Sequence, residues 1–146
     1  MGRTCAVALW ISLLTISWAG EIISTGWLAK DTKWKTQFYQ RASSQNGPTV
    51  VITGGVHGNE PAGARAAEQI RHWSIKRGRL IVIPRVNDPG LQDGTRFLPG
   101  EPPQRRDLNR QFPKTKAPNE AQGVLGQAVW KFISEQKPDW VIDLNE

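Results

Sequence analysis

At 146 residues the chain has room for one domain, and its 38% hydrophobic and 22% charged content is that of an ordinary folded protein, which argues against disorder. The net charge of +6 would tolerate an anionic partner, but the basic residues are scattered, with only Arg105-Arg106 and residues 71–79 dense. No RNA-binding signature, zinc-finger spacing or aromatic interleaving accompanies them, so the sequence argues against nucleic acid as a partner.

Residues 1–19 read as a secretory leader. Arg3 supplies a positive start, residues 5–16 form an apolar stretch broken only by Ser12 and Thr15, and Ser17-Trp18-Ala19 is a small-x-small cleavage signal. The apolar stretch is shorter than the ~20 residues of a membrane-spanning helix, so no stable membrane anchor is expected once the leader is removed. The destination is secreted or periplasmic. Cys5 departs with the leader, and the remaining chain cannot rely on disulfides.

Residues 20–48 are expected to form a hairpin arm beside the main sheet. Residues 34–40 half-alternate like an edge strand and run into the turn chemistry of residues 43–48. The β-branched run 49–53 then predicts a strand covered on both faces. It breaks at Gly54-Gly55, presents His57 and Glu60 three residues apart, and restarts as a helix over 61–73 with Pro61 at its first position. A histidine and a carboxylate at the carboxyl end of a strand are two thirds of a catalytic zinc site with three protein ligands, although His-x-x-Glu alone is a weak signal.

Gly78 is read as the end of that helix region, and residues 79–84 as a second strand, giving a parallel strand-helix-strand unit. His72 is expected to be a solvated residue at the helix end. Residues 87–117 show turn chemistry but no periodicity. They hold Arg96, Arg105, Arg106 and Arg110 with Asp107 and Asn109 among them, and guanidinium forks suit carboxylate recognition; a solvated basic loop is the plain alternative. A second helix is expected over 119–136, with Asn119 as N-cap and Ala121, Leu125, Ala128, Val129, Phe132 and Ile133 along one face. A third strand follows over 139–144.

Taken together, Gly-Gly-Val-His57-Gly-Asn-Glu60-Pro-Ala-Gly, Arg96 ahead of Asp107-Leu-Asn109-Arg110-Gln-Phe-Pro, and Val-Ile-Asp143-Leu-Asn145-Glu resemble the succinylglutamate desuccinylase/aspartoacylase family of the zinc carboxypeptidase superfamily. The resemblance covers roughly residues 49–146. It implies an α/β, three-layer zinc-carboxypeptidase-like fold with a mixed, mostly parallel sheet, of which this chain carries the amino-terminal part. It further implies a zinc-dependent hydrolase that cleaves an amide beside a free carboxylate, in a small N-acyl amino acid or a peptide. His57 and Glu60 would be ligands of one Zn²⁺ ion, Asn109 and Arg110 would grip the substrate carboxylate, and Arg96 would polarise the scissile carbonyl. Two departures stand out: Asn145 occupies the place of the family's third ligand, a histidine, and the family's catalytic glutamate lies downstream of that motif. An amide oxygen is neutral and harder than imidazole, which lowers affinity for zinc. A carboxylate-binding module without catalysis and a basic surface-binding protein are the competing readings.

Overall fold

The two central strands set the architecture, because both of their faces are buried. In the computed structural model, which describes residues 15–16, 21–114 and 121–146, β4 (Thr49–Gly54) and β5 (Arg79–Ile83) pair in parallel, with Val51 opposite Ile81 and Ile52 opposite Val82. Side chains alternate across a strand, so these rows feed two separate cores. Val51, Ile81 and Ile83 join Leu125, Val129 and Phe132 on one face; Ile52, Leu80 and Val82 join Ala67 on the other.

Each core is closed by a helix. α1 (Pro61–Ile70) buries Gly63, Ala64 and Ala67, small residues that bring its axis close to the sheet. Gly63 is required there, since a Cβ at that position would collide with the carbonyl of Leu144 on the neighbouring strand. The helix ends at Ile70, three residues earlier than the sequence predicts, and Trp73 stands 62% exposed rather than packed. Gly78 does not cap the helix; its N–H donates to the Gln45 carbonyl in a turn packed against Gly47 and Pro48. His72 is exposed, as expected.

α3 (Val124–Gln136) covers the opposite face with Leu125, Val129 and Phe132. Its N-cap is Gly123, so the helix begins later than residue 119, and the proposed cap Asn119 lies outside the described residues. A shorter helix α2 (Asp88–Asp93) and a 3-10 turn (Leu108–Arg110) give order to the stretch 87–117 that shows no periodicity; Asn87 accepts the Gly90 N–H to start the first, and Asp107 accepts the Asn109 N–H to start the second.

The sheet order is β1-β2-β3-β5-β4-β6, where β1 is Thr15–Ile16, β2 Glu21–Leu28, β3 Thr36–Ser43 and β6 Trp140–Leu144. Helices on both faces make the layered α/β arrangement that the resemblance implies. The expectation of a mostly parallel sheet is corrected: β4 is parallel to β5 and β6, while β1-β2, β2-β3 and β3-β5 are all antiparallel. The cause is the expected hairpin of residues 20–48. It does not lie beside the sheet but extends it, with Tyr39 to Ala42 pairing against Val82 to Arg79. Glu21 fastens it by accepting from Arg41 at 3.0 Å and from the Ile75 N–H at 2.6 Å.

Apart from β1, the leader predicted over residues 1–19 falls outside the described residues. Among the described residues no helix is long and apolar enough to cross a membrane.

Candidate active site

The strand-to-helix loop after β4 carries His57 and Glu60 at the carboxyl end of the parallel strands, where α/β sheets commonly bind ligands. Backbone bonds hold the loop against the end of β5: the Val86 N–H donates to the Gly54 carbonyl at 3.0 Å and the Asn87 N–H to the Gly55 carbonyl at 2.9 Å. Gly58 lets the loop press on α2, because a Cβ there would strike the Gly90 backbone and the Thr95 carbonyl. That contact brings the stretch bearing Arg96 alongside Glu60.

His57 is almost wholly buried, at 1% exposure, and both of its ring nitrogens face carboxylates. Nδ1 lies 2.9 Å from Glu60 Oε2, and Nε2 lies 3.3 Å from Asp107 Oδ1. The second oxygen of Glu60 accepts from the Arg96 guanidinium. The hydrogen bond from His57 holds the Glu60 carboxyl below the usual carboxylate range; burial opposes this, while the charges of His57 and Arg96 reinforce it. Glu60 is therefore an anion held between two donors.

Asp107 joins this centre to the motif Asp107-Leu108-Asn109-Arg110. The carboxylate oxygen that faces His57 also accepts the Asn109 N–H at 3.1 Å. Leu108, fully buried, anchors the 3-10 turn in the α3-side core. Asn109 is half-buried and Arg110 exposed. Gln111 then ties the turn to α3, its backbone carbonyl accepting the Gln122 N–H and its side chain packing on Gly123 and Gly126.

The six candidate residues fall into two groups. His57, Glu60 and Arg96 form one bonded network, and Asn109 reaches it through its backbone. Arg110 and Asn145 stand outside that network and face solvent, although the Gly54–Leu144 pairing puts Asn145 at the same end of the sheet. Glu146, next in sequence, accepts the Ala62 N–H at the start of α1. Asp143 accepts from Thr53 at 2.6 Å on the α3 side. Asp107 is the member that sequence reading left without a role. The only signal for it was its place directly before Leu-Asn-Arg, and no local pattern reveals that it meets a ring 50 residues away.

His57 and Glu60 fit two positions of a catalytic zinc site, since one donor atom of each converges on the same small space. Among the described residues no third His, Cys, Asp or Glu completes the set. Asp107 cannot serve, because it is committed to the far nitrogen of the same ring. Among the described residues the donor set is thus two strong ligands, with the neutral amide of Asn145 at the same end of the sheet.

Residues 46–144 match the succinylglutamate desuccinylase/aspartoacylase catalytic domain. An N-alpha-acetyl-L-2,4-diaminobutyric acid deacetylase from Halomonas elongata is 36% identical over 70 residues, 46% of this chain and 20% of that protein. Among solved structures, an aspartoacylase family protein from Mesorhizobium loti superposes with a TM-score of 0.62 at 26% identity, covering 90% of this chain and 43% of that one. A succinylglutamate desuccinylase/aspartoacylase from Rhodobacter sphaeroides gives 0.62 and 26%, covering 88% and 40%. The chain therefore spans less than half the length of these relatives.

Proposed function

The chain belongs to the succinylglutamate desuccinylase/aspartoacylase family, a family of amide hydrolases, and from that premise we propose that its site is organised for zinc-dependent cleavage of an amide beside a free carboxylate, in an N-acyl amino acid or a small peptide. The observation that carries this reading is the linked set His57, Glu60, Arg96 and Asp107, with Asn109 on the turn that Asp107 starts.

His57 and Glu60 would hold the metal, with Asn145 as a weak third ligand. Bound zinc supplies a Lewis acid and a water whose pKa falls to ~7. Asp107 faces Nε2 and would accept its proton in the tautomer whose Nδ1 ligates the metal, in place of the form in which Nδ1 donates to Glu60; such outer carboxylates set the tautomer and raise the basicity of a ligating histidine. Arg96 stands beside Glu60 as the donor nearest the reacting carbonyl. Asn109 and Arg110 receive the substrate carboxylate, Arg110 by a two-pronged contact that only a guanidinium can make. Residues 1–19 would export the chain to a secreted or periplasmic location.

A second reading, a carboxylate-binding remnant without catalysis, is favoured by one specific feature: Asn145 stands where an imidazole would be needed. The discriminating experiment measures zinc per chain and hydrolysis of N-acyl amino acids by the protein, by Asn145→His and by Arg110→Lys. Zinc uptake with measurable, zinc-dependent hydrolysis that Arg110→Lys strongly weakens supports the hydrolase. Carboxylate binding with no hydrolysis in either the protein or Asn145→His supports the remnant.

A further inference from the structure

Residues 71–79 carry Arg71, Lys76, Arg77 and Arg79 and no carboxylate, and nothing in the site uses them. They form the loop from α1 to β5, at the amino end of the parallel strands. His57 and Glu60 lie at the carboxyl end, roughly 20 Å away along the six residues of β4. Bonds to the hairpin hold the loop in place: Glu21 accepts the Ile75 N–H at 2.6 Å, Ser43 Oγ donates to the Lys76 carbonyl at 2.9 Å, and the Gly78 N–H donates to the Gln45 carbonyl at 2.9 Å. The loop therefore rests on the side of the sheet away from β6.

Ile75 packs against the core of Ile52, Leu80 and Val82, whereas Trp73 is 62% exposed and His72, Lys76 and Arg77 are exposed in the same loop. The carboxylates described at this end are already engaged. Glu21 binds Arg41, Glu68 binds Arg71, Glu135 faces Lys131, and Asp139 accepts the Thr49 N–H. Among the described residues Lys76 and Arg77 form no ion pair. A bilayer with anionic headgroups complements both features, since indole rings settle at headgroup level and each nearby cation is attracted to the surface. The start of the chain favours lipid over a soluble polyanion. The apolar residues 5–16 lie just upstream of Glu21, which is bonded directly to this loop, so a membrane that takes up the apolar segment also meets the loop.

We propose that the loop 71–77 is a docking surface for an anionic phospholipid bilayer, with Trp73 seated among the headgroups and Lys76 and Arg77 attracted by their phosphates. The contact is reversible, because one ring and a few cations fall short of what stable anchoring requires. With the loop on the membrane, the carboxyl end of the strands faces water and the site stays open to soluble substrates.

The test is co-sedimentation of the full chain with vesicles of phosphatidylcholine alone and of phosphatidylcholine mixed with phosphatidylglycerol, at low and high salt. The parent should prefer the anionic vesicles, and high salt should erase that preference. Lys76→Gln/Arg77→Gln should weaken binding to anionic vesicles about tenfold or more, at roughly fivefold per cation, and leave binding to neutral vesicles unchanged. Trp73→Ser should weaken it about fivefold through lost apolar burial. Arg105→Gln/Arg106→Gln removes the same charge from the other dense basic pair and should change binding less than about twofold. All of these side chains are exposed, so none of the variants disturbs the fold. Equal losses in the two double variants, or equal affinity for neutral and anionic vesicles, overturn the proposal. So does an unchanged Trp73→Ser variant with heparin bound as tightly as the anionic vesicles, a result that assigns the loop to a soluble polyanion.

Discussion

β5 and β6 flank β4 in the same parallel register and are built from the same kinds of residue, yet they meet opposite environments. Leu80 to Ile83 of β5 are buried, because β3 pairs along the outer edge and helices lie above and below. Trp140, Val141 and Ile142 of β6 are 66%, 53% and 44% exposed. Strand propensity is alike in the two; neighbours make the difference. The β5 side is the mechanical half of the domain, and the β6 side is where the end of the motif strand meets solvent.

The largest effect that would test this contrast is in the core. Ile81→Ala should destabilise the domain by about 2–5 kcal/mol in urea unfolding, through lost burial and a cavity that cannot collapse between two helix layers. Val141→Ala on β6 should cost less than about 1 kcal/mol, and equal costs at the two positions would break the comparison. Glu21→Ala, which removes the carboxylate from Arg41 and the acceptor from the Ile75 N–H where the hairpin meets the loop after α1, should cost about 2–3 kcal/mol. A variant as stable as the parent would mean that strand pairing and the Arg41–Arg71 hydrogen bond hold the hairpin without Glu21.

On the β6 side, Asn145→His should raise zinc affinity at least about tenfold, near 1.4 kcal/mol, with little change in the stability of the metal-free protein. It should not by itself give brisk turnover, because a positioned general base contributes typically ~10²–10⁴-fold and no such role falls to Glu146, which is committed to the start of α1. Chelator competition for affinity and a hydrolysis assay read the two halves separately. Rapid hydrolysis by the unmodified chain would defeat both.

The smallest effect concerns Tyr39 of β3. Burial raises its phenol pKa, the Arg71 cation at 4.1 Å over the ring opposes this, and Glu68 adds to the rise. The folded state therefore keeps the phenol proton more firmly than the unfolded chain does. This stabilising contribution is complete below the unfolded value near pH ~10 and is lost as pH climbs through the folded value. Stability of Tyr39→Phe should fall less steeply above pH ~10 than that of the parent, and parallel alkaline limbs would remove the claim.

The strands 49–54, 79–83 and 140–144 were legible because each is built around a short apolar run with β-branched residues at its centre, a signal that needs only neighbours in sequence. The same is true of the start of α1 at Pro61. The end of α1 was overread, since Trp73 matches helical spacing but lies past the last helical residue and is exposed. The 87–117 stretch was underread, because α2 and the 3-10 turn are one or two turns long, too short for a period to show, and are started by single side-chain caps. In the site, His57 and Glu60 stand out by residue type and spacing after a strand, whereas the roles expected of Arg96, Asn109 and Arg110 come from the resemblance.

What the chain's sequence determined, then, is which segments become strands and which residue types cluster after β4, because hydrophobic period and glycine placement act over a few residues. Tertiary structure decided how the hairpin joins the sheet, and that Asp107 meets the far nitrogen of His57 and Arg96 the free oxygen of Glu60. Each of these is a contact between segments distant in the chain, fixed by strand register and by the close approach that Gly58 and Gly63 permit, and no local pattern carries that information.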